Sequence, residues 1–256
     1  MKRAFHSSIV QLKGVILLCA LAAYSFGCAT TTQPTRKKKP VQAEVVVAKT
    51  KDFELSGDGS SNAWAAAEWF EIPQRKMLGS PYKSEAKLLY SKKGLYVLFR
   101  AEDSRLTASM TEDNSHLWKE DVFELFIWPD PDVPIYFEYE LSPLNVELTI
   151  LVPNIKGKHK GWLPWEYNGD RKTRHETSAI GGELASYAKV EGWIAEIFIP
   201  YALLKPLVIS FPQAGDSWRI NLYRNDHDSG ERASWEWAPV DDNYHDYLNF
   251  GHIRFE

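Results

Sequence analysis

The sequence predicts an all-β protein: a two-sheet antiparallel β-sandwich, jelly-roll-like, with few short helices. From residue 52 onward, short segments rich in β-branched and aromatic residues alternate with turns that contain Gly, Pro, Asn and Asp. The composition, with 44% hydrophobic and 25% charged residues, is typical of a globular protein and excludes wholesale disorder. The chain has two cysteines, too few for a disulfide scaffold or a cysteine-rich zinc site.

Ten segments have the pattern of strands bounded by turn residues. They are Ala86–Tyr90, Leu95–Ala101, Val122–Trp128, Ile135–Leu141, Val146–Val152, Tyr187–Val190, Gly192–Ile199, Trp218–Arg224, Ala233–Trp237 and Gly251–Phe255. Ser91–Gly94 joins the first two as a hairpin. A helical pattern is confined to Asn62–Trp69 and the turn Tyr201–Leu204. Because no repeat or second linker interrupts residues 52–256, we expect one domain there.

The first 27 residues have the pattern of an export signal. Basic residues precede the apolar run Val15–Ala23, which is too short to span a membrane. Gly27 stands directly before Cys28, as at a bacterial lipoprotein cleavage site, although Phe26 occupies a position where a small residue is usual. We therefore predict a lipoprotein signal peptide at 1–27, lipidation of Cys28, and a membrane-anchored location in the cell envelope, at the outer membrane or facing the periplasm. An ordinary secretory signal with an incidental cysteine remains the alternative.

Residues 28–51 are polar and are predicted to form a flexible tether. Its cationic cluster, Arg36–Lys39, suits lipid headgroups, with nucleic acid as an alternative ligand. The chain has a net charge of −4, to which residues 1–27 contribute +3 and residues 28–51 contribute +5, leaving −12 for 52–256. A domain this acidic is a poor partner for nucleic acid, whose phosphates require a positive surface, and it suits a neutral or cationic ligand.

Side-chain alternation places three glutamates on one surface. Val122–Trp128 and Ile135–Leu141 are neighbouring strands, so Glu124, Glu138 and Glu140 are expected to share a face with aromatic residues. Carboxylates accept strong hydrogen bonds from sugar hydroxyls, and aromatic rings stack on the C–H face of a pyranose. The alternative is that these are solvated glutamates on the outer face of an ordinary sandwich.

An ordered series of segments resembles a known family. The segments are Asp58…Trp64, Lys93–Val97, Leu117–Ile127, Tyr136–Glu140, Gly192–Pro200, Gly215–Asn221, Tyr223–Asp226, Trp235 and Phe250–Ile253. Together they resemble the family 9 carbohydrate-binding modules, which are non-catalytic β-sandwiches, across about residues 52–256. The resemblance implies an oligo- or polysaccharide partner and no catalytic residue.

The resemblance also implies a binding site, in which two aromatic rings hold a sugar ring and polar groups surround its edge. The matching residues are Trp118, Asp121, Glu124, Glu138, Arg224, Asn225, Tyr244 and His245. Trp118 supplies the first ring. Tyr244 supplies the second, where xylanase-type members carry Trp; this exchange reduces the stacking area. Arg224 and Asn225 match a buried polar pair at a strand end.

Other conspicuous residues receive structural interpretations. Trp193 and Trp218 begin strands and are predicted to pack in the core, and Glu196 is predicted to be a satisfied structural carboxylate. Trp162 and Trp165 lie in a Gly- and Pro-containing insert. They are predicted to form a satellite hydrophobic cluster, with a second sugar platform as the alternative.

We predict no cofactor, but structural calcium remains open, because the resembled family often carries it. Two runs offer the hard oxygen ligands that calcium prefers, Asn225–Asp228 and Asp241–Asn243. Neither has a recognisable calcium-loop signature, so no metal ligand is assigned.

Three other functions remain open. A surface glycoside hydrolase could use Glu124 and Glu138, since neighbouring strands can supply the required carboxyl spacing. A DOMON-like sandwich could bind haem or serve a redox role. A structural lipoprotein could retain a vestigial site. The sequence contains no Ser-His-Asp elbow, P-loop or H-E-x-x-H motif, which excludes the enzyme classes that depend on them.

Overall fold

The computed structural model describes residues 43–256, apart from 77–79, 157, 166–167, 209 and 242. The predicted signal peptide, Cys28 and most of the predicted tether lie outside the described residues. Within those residues, no helix has both the length and the apolar character needed to cross a membrane.

The described chain is built mainly of strands. They are β1 Glu44–Lys49, β2 Phe70–Glu71, β3 Gln74–Lys76, β4 Ser84–Tyr90, β5 Gly94–Glu102, β6 Val122–Trp128, β7 Ile135–Leu141, β8 Glu147–Ile155, β9 Lys158–His159, β10 Leu163–Pro164, β11 Arg174–Ile180, β12 Gly192–Pro200, β13 Ser217–Asp226, β14 Ala233–Glu236 and β15 Gly251–Phe255. The short α-helix α1 is Tyr201–Leu204, and single 3₁₀ turns cover Asn62–Ala66, Leu117–Lys119, Gly169–Arg171, Lys205–Leu207 and Tyr247–Asn249. The predicted bounds of β6, β7, β15 and α1 are confirmed.

Two sheets share strand β1. The first has the order β10-β8-β7-β6-β13-β15-β1, and the second has the order β1-β4-β5-β12-β11. Short strands extend both sheets: β14 pairs with β13 and β3, β9 pairs with β8, and β2 pairs with β4. Most neighbours are antiparallel, as predicted, but β1 runs parallel to both β15 and β4.

The two sheets pack face to face around an aromatic core, which confirms the predicted sandwich. Phe123 of β6 stacks on Phe99 of β5 with 4.4 Å between ring centroids, and on Trp193 of β12 at 4.0 Å. Trp193 and Trp218 are both buried in this core, as predicted. Burying a large apolar side chain contributes about 1.5–3 kcal/mol, so this layer is a principal source of stability.

The opposite face of β6 is covered as well. All seven residues of β6 are buried, although alternation directs half of them away from the inter-sheet core. Val122, Phe126 and Trp128 belong to a second cluster, which includes Tyr247 and Phe250 from the segment before β15. That segment therefore folds over the outer face of the first sheet and leaves a pocket beside it.

Two predictions about elements are wrong, and strand β11 is missing from the prediction. Residues 44–49, assigned to the tether, form β1, because the valine run favours a strand and Val47 is buried in the core. Residues 187–190 contribute only an isolated bridge at Lys189, since Tyr187 has a φ of 59°, outside the extended region. Strand β11 is polar, and β12 is its one strand partner within the described part of the chain, so no apolar alternation marks it in the sequence.

Glu196 of β12 is the structural carboxylate that the sequence predicted. It is fully buried, and its oxygens accept hydrogen bonds from the indole of Trp64 at 2.6 Å and from the backbone of Gly57 at 2.7 Å. The backbone of Ser56 donates to it as well. Glu196 thereby fixes the segment before β2 against the second sheet.

Candidate functional site

A pocket of about 410 Å³ opens on the outer face of the first sheet. Strands β6 and β7 form its floor, and the walls come from the segments around residues 118, 160 and 232–245. Its lining residues are Trp118, Glu124, Phe126, Glu138, Glu140, Ile150, His159, Trp162, Arg232, Ser234, Glu236, Val240, Asp241, Asn243, Tyr244 and His245. The sequence-predicted residues Trp118, Glu124, Glu138, Tyr244 and His245 therefore come together around one cavity.

Three carboxyl groups form the floor. The register pairs Glu124 with Glu140 across β6 and β7, and Glu138 lies opposite Phe126. One oxygen from each of Glu124, Glu138 and Glu140 lies within 4.8 Å of the others. Their exposed fractions are 2%, 4% and 1%, so the interpretation as solvated outer-face glutamates is wrong. They are buried because the segment before β15 covers this face of the sheet.

Burial and mutual repulsion keep protons on this floor. Burial raises the pKa of Glu124 to about 8. Burial, and then the charge of Glu124, raise the pKa values of Glu138 and Glu140 well above their ordinary range. Because like charges in a poorly hydrated cluster disfavour ionisation, the floor retains protons at neutral pH unless a cation neutralises it.

A hydrogen-bond chain joins the floor to one wall. Asn225 Nδ2 donates to Glu124 Oε1 at 2.6 Å, and the hydroxyl of Tyr244 donates to Asn225 Oδ1 at 3.0 Å. The ring of Tyr244 stacks on Tyr223 with 4.0 Å between centroids and 17° between planes. Asn225 is buried and does not line the pocket, so it positions Glu124 and Tyr244 for a ligand without contacting it.

The opposite wall is formed by a pair of indoles. Trp118 is half-buried in the 3₁₀ turn before β6, and its ring stacks on the imidazole of His116 at 4.5 Å. Trp162 stands nearly perpendicular to it, with centroids 6.3 Å apart and planes at 72°. Trp162 is 37% exposed and lines the pocket, which gives it an accessible face. Trp165, in contrast, packs against the inter-sheet core, so the two insert tryptophans do not form one satellite cluster.

His245 closes the pocket beside Glu138. Its Nδ1 lies 2.5 Å from the hydroxyl of Tyr136 and 3.7 Å from Glu138 Oε2. Its ring stacks on His159 of β9 with centroids 4.2 Å apart. Burial, and then the charge of His159, lower the pKa of His245 to about 4, so the imidazole is neutral at neutral pH. His245 therefore supplies a polar wall without a positive charge.

Asp121 and Arg224, both assigned to the sugar site, do not line the pocket. Asp121 is fully buried, and its oxygens accept from the backbone amides of Thr107 at 2.6 Å and His227 at 2.8 Å. Arg224 is also fully buried, and its guanidinium donates to Asp226 at 2.6 Å and to other internal acceptors. Both hold the end of β13 in place, because Arg224 donates to Ser84 and to the backbone of Glu102, and Asp121 accepts from His227 directly after the strand.

Sequence reasoning did not identify His159, Arg232 or Glu236 as site residues. His159 reaches the pocket through the short pairing of β9 with β8. Arg232 is exposed at the rim, with its guanidinium 5.4 Å from the centroid of the Tyr244 ring. No local sequence motif marks these three positions. For Glu140, by contrast, strand alternation indicated a place in the site, since it shares the face of Glu124 and Glu138.

The first run considered for calcium, Asn225–Asp228, does not fit this ion. Carboxylate oxygens of Asp103, Asp226 and Asp228 lie within 4.8 Å of one another. The guanidinium of Arg224 donates to Asp103 at 3.2 Å and to Asp226 at 2.6 Å, while nearby hydroxyls donate to Asp228. A buried arginine already neutralises this cluster, and its oxygens are engaged, so a divalent cation would have to displace these partners.

The second run considered for calcium, Asp241–Asn243, lies partly outside the described residues, which omit Asp242. Within this run, Asp241 is exposed at the pocket rim. Asn243 is exposed too, and its side-chain oxygen accepts from the backbone amide of His245 at 2.8 Å. The described part of this run thus shapes the turn that carries His245.

Comparison with known proteins places this geometry in context. The chain aligns over 84% of its length with a proposed carbohydrate-binding protein from Bacteroides uniformis ATCC 8492, with a TM-score of 0.69, 15% identity and 100% of that chain covered. It also aligns with a family 9 carbohydrate-binding module from Caldicellulosiruptor kristjanssonii in complex with glucose, at a TM-score of 0.60 and 18% identity, covering 84% of this chain and 96% of that one. The cellotriose complex of a family 9 module from the same organism gives a TM-score of 0.58, 19% identity and coverage of 84% and 94%.

These structural likenesses establish the sandwich fold. A search of curated proteins found no match. Residues 56–256 match the sequence model described as carbohydrate family 9 binding domain-like, which covers nearly all of the described chain. The chain therefore belongs to the carbohydrate family 9 binding domain-like family.

Proposed function

We propose that this protein binds an oligo- or polysaccharide at the pocket on the first sheet, without cleaving it. The observation that carries the proposal is the pocket itself, in which Trp118 and Tyr244 stand above buried carboxyl groups. A sugar ring presents apolar C–H faces and polar edges, and this cavity offers aromatic rings and acceptors in matching positions. Its volume of about 410 Å³ suits a small ligand or the end of a chain.

The ring of Tyr244 is held rigidly, which favours binding. Its contacts with Tyr223 and Asn225 fix its plane before a ligand arrives. A pre-organised wall avoids part of the ordering cost of association. Trp118, fixed on one side by His116, supplies the larger ring, and the accessible face of Trp162 extends the wall for a second sugar unit.

The floor carboxyls are assigned to hydroxyl recognition. Glu124 and Glu138 lie on the pocket floor, where the hydroxyls of a ring above them would be directed. Because the floor retains protons at neutral pH, a neutral sugar meets neutral carboxyl groups here, and each such hydrogen bond contributes about 0.5–1.5 kcal/mol net. The two aromatic rings add buried area and stacking to these contacts.

One observation supports hydrolysis as a second candidate. Glu124 and Glu138 bring carboxyl oxygens within 4.8 Å, and the raised pKa of Glu124 suits a general acid. Retaining glycosidases place their carboxyl pair about 5–5.5 Å apart. We favour binding for two reasons. The pKa of Glu138 is raised well above its ordinary range, whereas a glycosidase needs its second carboxyl group ionised. The domain also belongs to a family of binding modules.

The haem or redox alternative receives no geometric support at this pocket. His159 and His245 stack in parallel at 4.2 Å, whereas two axial ligands approach a haem iron from opposite sides. Met110, a possible axial ligand by residue type, packs against the second hydrophobic cluster, which includes Phe126 and Phe250, and does not line the pocket.

The location is proposed from the sequence. Lipid attached at Cys28, followed by the basic segment Arg36–Lys39, would hold the domain at a membrane surface in the cell envelope. The net charge of −12 over residues 52–256 argues against nucleic acid as a partner of the domain.

Calorimetric titration of the full chain in detergent with glucose, cello-oligosaccharides and xylo-oligosaccharides tests the proposal. Saturable binding that Trp118→Ala weakens is the expected result. If none of a broad sugar panel binds, the pocket is vestigial and the proposed function is wrong. A second titration in EDTA shows whether a divalent cation contributes.

A further inference from the structure

We propose that the pocket selects sugars that carry a free amine, with the ammonium group docked on Glu124, Glu138 and Glu140. This inference rests on the proposed function and names the ligand class of the same site. Four features support it: the spacing of the three glutamates, the unpaired oxygens of Glu138 and Glu140, the excess of acidic groups, and the aromatic walls of the cavity.

The floor has the spacing that a single ammonium requires. An ammonium group donates three hydrogen bonds, each about 2.7–2.9 Å long to a carboxylate. Two oxygens that accept from one nitrogen therefore lie at most about 5.8 Å apart. One oxygen from each of the three glutamates lies within 4.8 Å of the others, so one nitrogen could reach all three.

Two oxygens on this floor have unused acceptor capacity. Glu138 Oε2 and Glu140 Oε2 are buried and accept no hydrogen bond from the described residues. The nearest ring nitrogen, His245 Nδ1, is 3.7 Å from Glu138 Oε2, which is beyond hydrogen-bond distance. Burying an unpaired acceptor is unfavourable, and more so for a charged one. A bound donor cation would remove that penalty.

The pocket has more acidic than basic groups. Beyond the floor, the charged and titratable lining residues that the structure describes are His159, Arg232, Glu236, Asp241, Tyr244 and His245. Arg232, the basic residue that is always charged, is exposed at the rim, with its guanidinium 5.4 Å from the centroid of the Tyr244 ring. Its charge acts against burial by lowering the pKa of Glu124, but the pKa of Glu124 is still raised. Among the described residues, five carboxyl groups therefore line a pocket with one arginine, in a domain whose net charge is −12.

The cavity favours an organic cation over a bare metal ion. Calcium takes six to eight oxygens, whereas Glu124 Oε1 is already bound to Asn225. The space above the floor is about 410 Å³ and is walled by Trp118, Trp162 and Tyr244. Aromatic faces attract cations as well as the C–H face of a sugar. A pyranose with an amine uses the walls and the floor together.

The test compares disaccharides that differ at one substituent. The full chain in detergent is titrated with the β-1,4-linked dimers of glucosamine, N-acetylglucosamine and glucose. We expect the glucosamine dimer to bind at least about tenfold more tightly than either of the others, a difference of about 1.4 kcal/mol. Its binding enthalpy should also vary with the ionisation enthalpy of the buffer, because the ammonium displaces protons from the floor.

Glutamate-to-glutamine variants distinguish direct contact of the ammonium with the floor from the overall negative charge of the domain. Glu138→Gln and Glu140→Gln should each bring the affinity ratio between the amine and the neutral dimers close to one. The matched control is Glu68→Gln, which removes a carboxylate that is exposed and lies outside the pocket, and it should leave the ratio unchanged. Circular dichroism confirms that each variant is folded.

The outcomes are distinguishable. Equal affinity for the three dimers overturns the amine inference and leaves the proposed function standing. No binding of any dimer or other sugar overturns the proposed function and the inference with it. A calorimetric titration with calcium chloride tests whether the floor is a metal site instead. Binding heat that is lost in Glu140→Gln, together with equal affinity for the three dimers, would identify an ion site and also overturn the inference.

Discussion

Glu124 and Glu140 lie directly opposite each other on adjacent strands, with both side chains on the buried outer face of the first sheet. Like charges at opposed positions destabilise a sheet, so this pair is unfavourable for the fold when both are ionised. The raised pKa values of both groups express that conflict. An apolar pair would pack there without it. The arrangement is therefore understood best as a feature of binding that the surrounding fold tolerates.

Truncating Trp118 should weaken sugar binding with little loss of stability. The indole is half-buried at the pocket wall, so Trp118→Ala should reduce affinity by about 1–3 kcal/mol. Its effect on unfolding should stay well below the 3–5 kcal/mol typical of a core Trp. Calorimetry and thermal melting measure the two effects. A large loss of stability, with binding intact in the folded fraction, would show that Trp118 is a core residue.

Tyr244 should behave differently because it is tied to the fold. Tyr244→Phe keeps the ring stacked on Tyr223 but removes the hydroxyl that donates to Asn225. We expect binding to fall less than in Trp118→Ala, and the unfolding free energy to drop by about 1 kcal/mol. Denaturant unfolding of both variants is the measurement. Unchanged stability in Tyr244→Phe would show that the hydrogen bond between Tyr244 and Asn225 contributes nothing.

The floor carboxyls should make stability depend on pH. The pKa of Glu124 is about 8 in the folded protein, against an ordinary value of 4.5, so the folded state holds its proton more tightly. The contribution of Glu124 to the free energy of unfolding is fully present below about pH 4.5 and is lost as the pH rises towards about 8. Glu124→Gln should flatten that decline in the unfolding free energy. His245 has the opposite sign, since its pKa is lowered to about 4 and its contribution is lost as the pH falls.

Denaturant titrations of the wild type and Glu124→Gln across this range measure the slope. Glu68→Gln is the control, because Glu68 is exposed and outside the pocket. If the unfolding free energy of both variants depends on pH as in the wild type, the pKa of Glu124 is not raised in the folded state.

The protein should release no sugar from oligosaccharides on prolonged incubation. Glycoside hydrolysis needs a second carboxyl group that is ionised, whereas burial, and then the charge of Glu124, raise the pKa of Glu138 well above its ordinary range. Chromatography of cello- and xylo-oligosaccharides after incubation checks for products. Sustained turnover that Glu124→Gln abolishes would establish the glycosidase instead.

Cys28→Ser should abolish lipid attachment. The motive is the apolar run that ends before Gly27-Cys28. In a bacterial host, palmitate labelling and globomycin-sensitive processing should both disappear in the variant. Normal membrane retention of Cys28→Ser would reject the anchor.

Local sequence was sufficient for the strands that form the site. β6 and β7 have clear β-branched and aromatic alternation, so both their bounds and the shared face of their glutamates could be predicted. Their burial could not, because it depends on the segment before β15 folding back over the sheet. An isolated strand pattern carries no information about what covers its outer face.

Long-range contacts account for the remaining errors. Asp121 follows Trp118 at a suggestive spacing, but the backbone amides of Thr107 and His227 occupy its oxygens. His159 enters the pocket through a two-residue strand that has no pattern of its own. Both facts follow from chain segments that meet only in the folded protein.

The parallel pairing of β1 gives the domain a defined response to tension. Residues 44–47 of β1 pair with β15, and residues 48–49 pair with β4, so a pull on the N-terminal side of β1 is transmitted to both sheets. In a protein anchored at Cys28 and attached to a fixed polysaccharide, this strand would carry the load. Pulling along its axis shears several hydrogen bonds together. Single-molecule stretching from the N-terminus against the bound sugar should therefore show one high-force event, not a gradual unzipping.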